Sequence, residues 1–280
     1  MYLVIDIGGT KTLIAAFTKR GRVIRKLRFK TPDNRKEFEA MLKSALIPFS
    51  VKHRRKISQI IIAVPGWIEN NVATRFGNRP WKNFDIAGCI KNLFNCPITL
   101  ENDASLATVY ESYFHRGLSL YLTFSTGIGG GLARSGKLAK NSNSVEPGHT
   151  LYLFGENHLE WEDIASCAAI GKAYGCQATS VRGEKAYLDI AHRVSLGLPE
   201  LIHRYHPNCI VIGGPLALLF PHFITPLKSN LRQILGSNAK IPRIVPAKRP
   251  KESVIYGGYL YGKSLQASSR KSRRHSKQPQ

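Results

Sequence analysis

Acidic residues occur where two apolar segments of the first half of the chain end. Asp6 closes the first apolar run, and Asp103 follows another run directly after Asn102. A carboxylate at the end of a strand can accept a proton from a substrate hydroxyl, and a neighbouring amide can hydrogen-bond the same substrate. The pair Asn102 and Asp103 also has the composition of a helix N-cap. The residues alone leave both roles open, with Asp103 as the best candidate for a general base.

A glycine-rich turn follows the first apolar run. Gly8 and Gly9 can adopt the positive φ that other residues resist, and they leave backbone N–H groups open to a phosphate. Thr10 and Lys11 extend the turn, with Lys11 as a point charge that faces either the phosphates or solvent. Because residues 12–17 are apolar again, the segment indicates a β-hairpin rather than the strand-to-helix turn of a P-loop. An ordinary hairpin is the alternative for one such turn.

Asp6, at the start of this turn, is a candidate magnesium ligand. Mg²⁺ keeps much of its hydration and is usually bound by one or two carboxylates together with phosphate oxygens. We therefore expect Asp6 to bind Mg²⁺ through water. The alternative is a buried carboxylate that accepts hydrogen bonds from amides of the turn.

Two further glycine-rich turns follow apolar segments at residues 120–131 and 209–215. The three turns together resemble those of the sugar-kinase, actin and heat-shock ATPase superfamily. In that superfamily two hairpins hold the nucleotide phosphates and a third glycine turn lies beside the adenosine. The resemblance implies nucleotide-binding roles for Gly8, Gly9, Thr10, Lys11, Thr126, Gly127, Gly129, Gly130, Gly213 and Gly214.

The apolar pattern predicts strands that alternate with helices, which is typical of α/β layers. Strands are predicted at residues 2–7, 11–17, 22–30, 58–64, 97–101, 118–124, 130–134 and 209–212. Helices are predicted near residues 33–48, 85–95, 103–115, 160–176, 182–205, 221–235 and 253–264.

Segments between and after the turns resemble the ROK family, whose name stands for repressors, open reading frames and kinases. The similar segments are residues 63–66, 98–105, 145–149 and 161–166, and the similarity extends to about Gly262. The resemblance implies a two-domain actin-like ATPase fold, related to ribonuclease H, with the active cleft between the domains. We expect an N-terminal domain of residues 1–105, a C-terminal domain of residues 106–252 and a helix of residues 253–264 that packs back on the first domain. Family repressors have an N-terminal DNA-binding domain, and since this chain starts on the first phosphate strand, the kinase branch is expected.

The resemblance also implies residues that bind a sugar. Glu146 and His149 match the family's sugar-contacting element, in which polar groups bind ring hydroxyls. The family's second sugar-facing glutamate precedes an Ala-Ser pair, which identifies Glu162. Glu160 is the alternative if the loop is shifted by two residues.

Four more residues are expected at the substrate. Asp103 matches the family's catalytic aspartate, and Asn102 beside it is expected to bind the substrate. The backbone of Gly66 matches a segment that lies along the sugar, and Asn78 is expected to close the site from the other side. Asn and Gly are also ordinary loop residues, which is the alternative for Gly66 and Asn78.

The chain departs from the family at the zinc site. Many ROK proteins follow the Gly-His element with a cysteine-rich zinc loop, and the corresponding residues 150–160 contain no cysteine. The five cysteines are scattered along the chain, so we predict neither a structural zinc nor a disulfide framework. Other contacts must then orient His149.

Charge is the unusual property of the composition. The chain of 280 residues has 41 Lys and Arg against 18 Asp and Glu, a net charge of +23. Such a surface attracts polyanions, although a generally basic proteome is an alternative explanation. Residues 265–280 are rich in Ser and Arg without apolar periodicity, so we expect a disordered basic tail. No apolar run approaches a membrane span and no signal peptide is visible, which favours the cytoplasm.

These observations predict a hexokinase that uses ATP and Mg²⁺, with glucose and its 6-hydroxyl as the leading acceptor. A polyphosphate donor is the first alternative, because some polyphosphate-using relatives lack the zinc loop and the surface is basic. A sugar sensor without catalysis is the second alternative. No motif for specific nucleic-acid binding is visible, no membrane partner is expected, and a homodimer is left open.

Overall fold

A computed structural model describes residues 1–77, 79–140, 142 and 145–275 of the chain. The chain forms two compact units. Unit 1 consists of Met1–Tyr110 and Val254–Gln280, and unit 2 consists of Glu111–Ser253. The predicted boundaries, after residues 105 and 252, lie near these two crossings of the chain.

Unit 1 is built around a five-stranded sheet. Its strands, in the spatial order β3-β2-β1-β4-β8, are β1 (Tyr2–Ile7), β2 (Lys11–Phe17), β3 (Val23–Lys30), β4 (Gln59–Val64) and β8 (Ile98–Asn102). The first three strands pair antiparallel, whereas β1, β4 and β8 run parallel. β4 is buried along its whole length, and β1 along nearly all of its length, as their continuous apolar runs require.

One face of this sheet is covered by α1 (Arg35–His53). Asn34 caps the helix, since its side chain accepts hydrogen bonds from the N–H groups of Lys36 and Glu37. The buried residues of α1 join the apolar residues of the sheet in one core, together with Trp81. The predicted helix near residues 33–48 is therefore present, but it begins two residues later and ends five residues later.

The other face of the sheet is covered by α8 (Ser253–His275). Tyr259 stacks on Phe17 with ring centroids 5.2 Å apart. The approach is close enough that a Cβ on Gly258 would lie 2.5 Å from Cγ1 of Val4. A glycine is needed there because any side chain would separate the helix from the sheet.

Unit 1 also contains elements outside this sheet. A small antiparallel sheet consists of β5 (Trp67–Glu69), β6 (Val72–Phe76) and β7 (Arg79–Phe84), and the helices α2 (Ile86–Ile90) and α3 (Asp103–Glu111) follow. The three short strands were not predicted, because they alternate irregularly between buried and exposed residues.

Unit 2 has a sheet with the same pattern of pairing. Its order is β11-β10-β9-β14-β15, and its strands are β9 (Leu118–Phe124), β10 (Ile128–Arg134), β11 (Lys137–Leu138), β14 (Cys209–Gly213) and β15 (Arg243–Pro246). β9, β10 and β11 are antiparallel neighbours, and β9, β14 and β15 run parallel. A separate hairpin is formed by β12 (Leu151–Phe154) and β13 (Asn157–Glu160).

The helices of unit 2 are α4 (Trp161–Ala165), α5 (Cys167–Tyr174), α6 (Glu184–Tyr205) and α7 (Phe220–Leu235). The single helix predicted near residues 160–176 is two helices that meet at Ser166. The chain leaves the helical conformation there, and the Ser166 hydroxyl accepts a hydrogen bond from the N–H of Ala169 at 3.0 Å.

We expected disorder from residue 265 onward, whereas the structure continues α8 as far as His275. A helix whose first turns are anchored by packing can continue without apolar periodicity, because each added residue contributes one backbone hydrogen bond. Residues 276–280 lie outside the described residues. Among the residues that the structure describes, no helix is both long and apolar enough to cross a membrane.

Candidate active site

The carboxyl ends of the parallel strands in unit 1 bring predicted site residues to one edge of the sheet. Asp6 on β1 is opposite Ala63 on β4, and Val64 is opposite Asn102 on β8. Asp103 is the next residue and begins α3. Because parallel strands share a direction, the residues at their carboxyl ends are neighbours. Asp6, Asn102 and Asp103 therefore lie at the same edge.

Asp6 is electrostatically coupled to Asp103. The pKa of Asp6 is raised to about 7, first by burial and then by the charge of Asp103, whereas Lys11 and Arg28 act in the opposite direction. Each of the two carboxylates makes ionisation of the other less favourable, and a bound divalent cation would offset this repulsion. Carboxylate oxygens are also the ligands that hard cations prefer. The side chains at this edge thus fit Mg²⁺.

Asn102 uses both ends of its amide. Its Nδ2 donates to the carbonyl oxygen of Gly66 at 3.1 Å, and its Oδ1 accepts from the N–H of Ser105 at 3.0 Å. Gly66 has a φ of +97°, and a Cβ there would collide with the carbonyl of Arg75. The helix-capping role is present for Asn102, and the same side chain holds the turn of Gly66 next to Asp103.

The first glycine turn is tied to the segment after β3. The N–H of Gly8 donates to the carbonyl of Lys11 at 3.0 Å, and the hydroxyl of Thr31 donates to the carbonyl of Gly8 at 2.9 Å. The N–H of Thr31 donates to the carbonyl of Thr10 at 3.1 Å. Gly9, Thr10 and Lys11 are exposed. The turn is a hairpin, as predicted, with backbone exposed at its tip.

Arg79 also fixes this turn, and sequence reasoning missed it. Its guanidinium donates to the carbonyl oxygens of Gly9, Thr31 and Pro32 and pairs with Asp33 at 3.0 Å. The Arg79 side chain is only 9% exposed. Its partners are mostly backbone carbonyls, which carry no sequence signal, so this role could not be read from residue types.

Further cations of β3 share a sheet face with Asp6. Lys30 is opposite Lys11, and Arg28 is opposite Leu13, which in turn is opposite Asp6. Arg28 and Lys30 are exposed. Alternate residues of a strand point to one face, so the two cations lie on the face that carries Lys11. The sequence has cations at the alternate positions 26, 28 and 30. Their placement on the face of Asp6, however, could be inferred only from the register of β2 against β3.

In unit 2, Glu162 supports the second glycine turn. Its Oε2 accepts from the N–H of Ile128 at 3.2 Å. A Cβ on Gly127 would lie 2.5 Å from that oxygen, and one on Gly148 would lie 2.7 Å from it. The carboxylate of Glu162 therefore lies where a side chain on Gly127 or Gly148 would be. Glu162 therefore connects the predicted phosphate turn with the turn that carries His149.

His149 is held by Glu160, the residue that the sequence offered as the alternative to Glu162. Nδ1 of His149 lies 2.9 Å from Oε2 of Glu160, at the end of the β12–β13 hairpin. This hydrogen bond is the main cause that raises the pKa of His149. Burial lowers the pKa, whereas the charges of Glu162, Glu160 and Glu146 raise it further. The hairpin that carries Glu160 thus orients His149.

His149, Glu160 and Glu162 each offer a ligand atom, and these atoms lie within 4.8 Å of one another. The set has no thiolate, and two of its members already hydrogen-bond each other. We keep the prediction that the chain has no structural zinc.

Three of the predicted nucleotide-binding glycines are buried. A Cβ on Gly130 would lie 2.8 Å from Cγ1 of Val145, and one on Gly213 would collide with the ring of Tyr121. Gly214 has a φ of +70° and precedes a short 3-10 turn. Packing and backbone conformation explain these glycines, so a role for them toward a nucleotide stays a prediction.

Asn78 lies outside the described residues. The other predicted residues divide between the units. Unit 1 carries Asp6, Gly8, Gly9, Thr10, Lys11, Gly66, Asn102 and Asp103, and unit 2 carries Thr126, Gly127, Gly129, Gly130, Glu146, His149, Glu162, Gly213 and Gly214. Unit 1 thus combines two coupled carboxylates with exposed backbone and cations, which suits chemistry on a phosphate and a hydroxyl. Unit 2 combines a histidine with three carboxylates, which suits hydrogen bonding to a polyol.

Comparison with known proteins identifies relatives over most of the chain. The bifunctional NanE/NanK enzyme of Brucella suis biovar 1 is 27% identical over 279 residues, which cover 91% of this chain and 52% of that protein. The chain therefore spans about half the length of this relative. The fructokinase of Lactococcus lactis subsp. cremoris is 24% identical over 289 residues, with 93% of this chain and 96% of the fructokinase covered.

A solved structure shows the same fold. The ROK family glucokinase from Streptomyces griseus, in complex with glucose and AMPPNP, matches with a TM-score of 0.77 at 18% identity and covers 94% of this chain and 99% of its own. The predicted actin-like ATPase fold is confirmed by this likeness. The ROK family model matches residues 2–261, nearly the whole chain. On this match, and on the glycine turns and acidic residues that it includes, the chain belongs to the ROK family.

Proposed function

We propose that the chain is a sugar kinase that transfers the γ-phosphoryl group of ATP to a free hexose. Glucose is the proposed acceptor, with glucose 6-phosphate as the product. The observation that carries the proposal is the edge of the unit 1 sheet, where Asp103 lies beside Asp6 and the phosphate turn is held open at Gly9. The relatives named above act on different sugars, so glucose is the first acceptor to test among several.

Asp103 is the proposed general base. It accepts the proton of the sugar hydroxyl as that oxygen attacks the γ-phosphorus and the bond from this phosphorus to the bridging oxygen of ADP breaks. Asn102 cannot move freely, because its amide is bonded to Gly66 and Ser105. The fixed amide keeps the neighbouring Asp103 in place for a proton transfer that depends on geometry.

The reaction also requires that the negative charge on the phosphoryl oxygens be neutralised. Lys11 and Arg28 both act on the charge of Asp6, so they lie near enough to act on a phosphate at the same edge. Mg²⁺, when bound at Asp6, would supply further charge neutralisation for the phosphates. The backbone of Gly8, Gly9 and Thr10 contributes N–H donors at the tip of the turn.

The proposed sugar ligands are Glu146, His149 and Glu162, together with the backbone at Gly66. The bond from Glu160 to Nδ1 leaves Nε2 of His149 to face a sugar hydroxyl. Glutamates accept hydrogen bonds from ring hydroxyls, and an acceptor set of fixed geometry discriminates epimers.

Steady-state assays across glucose, mannose, fructose, allose and N-acetylmannosamine, each with ATP and Mg²⁺, test the proposal. Turnover with one or more of these sugars supports it. Folded protein that turns over none of them contradicts it. Sugar-dependent thermal stabilisation without product would instead indicate a non-catalytic sensor.

Polyphosphate is a second candidate donor, favoured by the cations Arg28 and Lys30 on the face of Asp6. A long polyphosphate could place its terminal group at the turn while these cations neutralise the chain. Initial rates with ATP and with polyphosphate at two salt concentrations separate the donors. Use of polyphosphate should fall steeply with salt, and use of ATP much less.

A further inference from the structure

A surface of unit 2 combines exposed aromatic rings with exposed cations. It is formed by Tyr113, Phe114, Arg116, Arg134, Lys137 and Lys248, which we call the ring-and-cation surface. Tyr113 is 57% exposed and Phe114 is 46% exposed. The four cations are exposed as well. None of the six is assigned to the kinase reaction.

Contacts connect the three segments that carry these residues. Nζ of Lys248, after β15, lies 5.8 Å from the ring centroid of Phe114. The ring of Tyr113 lies against Gly136, in the turn between β10 and β11. The N–H of Gly136 donates to the hydroxyl of Ser112 at 2.9 Å. This bond fixes the turn against the segment that carries both rings.

The cations lie in the segments that carry the rings or contact them. Arg134 and Lys137 are directly opposite each other across the β10–β11 hairpin, on either side of the turn that Tyr113 covers. Arg116 follows the rings in the sequence, and Lys248 lies over Phe114. Lys248 thus lies close to Phe114, and Arg134 and Lys137 flank the turn against which Tyr113 packs.

Acidic residues do not offset this charge. The three contributing segments, residues 112–118, 134–140 and 243–251, contain no Asp or Glu. Glu111, which precedes the first segment, is buried and accepts hydrogen bonds from the N–H of Lys248 and the hydroxyl of Ser253. Glu252, which follows the last segment, pairs with Arg249. Within the described parts of the chain, Arg116, Arg134, Lys137 and Lys248 have no carboxylate within ion-pairing distance.

Exposed rings flanked by cations suit one class of ligand. Bases of a single strand stack on aromatic side chains while the cations follow its phosphates, and such binding tolerates any sequence. A purely inorganic polyanion would use the cations and leave the rings without a function. A second copy of this surface would bring like charges together. We propose that the ring-and-cation surface binds single-stranded nucleic acid without sequence preference.

The test is binding of a fluorescein-labelled dT12 oligonucleotide, followed by anisotropy at low and moderate salt. The double variant Tyr113→Ala, Phe114→Ala should bind at least about 5-fold more weakly, since removal of one stacking platform by itself costs on the order of 5- to 100-fold in affinity. The matched control is Trp67→Ala, which removes an exposed aromatic side chain from unit 1 and should leave affinity unchanged. Thermal melts of each variant establish that it is folded.

The charge part of the proposal has its own variants. Arg116→Gln with Lys137→Gln should lower the salt slope of dT12 binding by about 0.7 for each phosphate that the variant no longer neutralises. Lys19→Gln with Arg20→Gln removes the same charge from exposed positions of unit 1 and should change the slope much less. Because Tyr113 covers Gly136, Phe114→Ala alone serves as the ring variant if the double variant unfolds.

Three outcomes would overturn the proposal. The first is equal dT12 affinity for wild type and a folded ring variant. The second is inorganic polyphosphate that competes as well as dT12 at equal phosphate concentration, which would mean that only charge is recognised. The third is a ring variant that changes the oligomeric state in sedimentation while dT12 binding stays the same, which would make the surface a contact between copies. Kinase activity is not a readout here, so failure of this proposal leaves the proposed function untouched.

Discussion

Asp6 and Asp103 are carboxylates at the same edge of one sheet, yet their surroundings suit them to different tasks. Asp6 is on a strand that is buried on both faces, and the pKa of its carboxyl is raised to about 7. Asp103 begins α3, and its Oδ1 accepts a hydrogen bond from the N–H of Ala104 at 2.7 Å. The backbone donor fixes the orientation of the Asp103 carboxylate, which a positioned general base requires.

Asp103→Asn should reduce kcat by about 100- to 10,000-fold, the range for a positioned general base. The amide keeps the shape of the side chain but cannot accept the hydroxyl proton, so sugar affinity and the melting temperature should change little. Steady-state kinetics and calorimetry measure these quantities. Asp163→Asn, an exposed acidic position of unit 2, is the control. An Asp103→Asn enzyme with normal kcat would mean that positioning suffices or that another carboxylate is the base.

Asp6→Asn should stabilise the metal-free protein at high pH and have less effect at low pH. The raised pKa means that the folded state binds the proton of Asp6 more tightly than the unfolded state does. The contribution of Asp6 to stability is therefore fully present below about pH 4 and is lost as pH rises through about 7.

Urea unfolding in EDTA measures this effect. The variant should exceed wild type by on the order of 1–3 kcal/mol in the free energy of unfolding at pH 8, with a smaller difference at pH 5. A difference that is the same at both pH values would contradict the raised pKa of Asp6. Activity should be lost in the same variant, because Asn is a poor ligand for Mg²⁺.

Glu160→Gln should lower the pKa of His149. The hydrogen bond from Glu160 is the main cause that raises this pKa, and an amide oxygen stabilises the imidazolium less than a carboxylate does. Titration of the histidine ring signals by NMR measures the shift, and the low-pH limb of sugar binding should move with it. Glu156→Gln, at the exposed tip of the same hairpin, is the control. An unchanged His149 titration would show that Glu160 does not set the protonation of the ring.

Arg79 acts at the scale of elements, since it attaches β7 to the first glycine turn. Its bonds to the carbonyls of Gly9, Thr31 and Pro32 come from one guanidinium, and lysine has only one nitrogen to replace them. Arg79→Lys should therefore raise the KM for the phosphoryl donor several-fold, with a smaller effect on the KM for the sugar. Arg75→Gln, an exposed cation on β6, controls for the loss of charge. Equal changes in both KM values would contradict a role in positioning the turn.

At the scale of the whole molecule, Glu111 connects the two ends of unit 2. It is the first residue of that unit and is hydrogen-bonded to Ser253, the last one. The carboxylate is fully buried and accepts from the N–H groups of Lys248 and Arg249, at 2.9 and 3.3 Å, and from the hydroxyl of Ser253, at 2.5 Å. Glu111→Gln should lower the free energy of unfolding by about 1–3 kcal/mol, because an amide nitrogen replaces one acceptor.

Chemical denaturation compares this variant with Glu156→Gln, which lies at an exposed position. The expected loss is confined to Glu111→Gln. If both variants unfold at the same denaturant concentration as wild type, the buried carboxylate does not hold the two crossing segments together.

Much of the fold followed from local patterns in the sequence. Continuous apolar runs identified β1, β4, β9 and β14, because strands buried on both faces need apolar residues at every position. The glycine turns and the acidic residues after strands carried the family resemblance. The short strands β5, β6 and β7 were missed, since their stability comes from packing against Trp81 and its neighbours rather than from their own periodicity.

The sequence by itself determined the order of the long apolar strands and the glycine turns, the ROK family and the candidate residues Asp6, Asp103, Glu146 and His149. Tertiary structure decided which side chains contact one another in the candidate site. It paired His149 with Glu160, placed Glu162 against Gly127, and brought Arg79 to the first turn. The reason is physical. Residue types and short spacings are fixed by local chemistry, whereas partners far apart in the chain are chosen by register and packing, which no single segment contains.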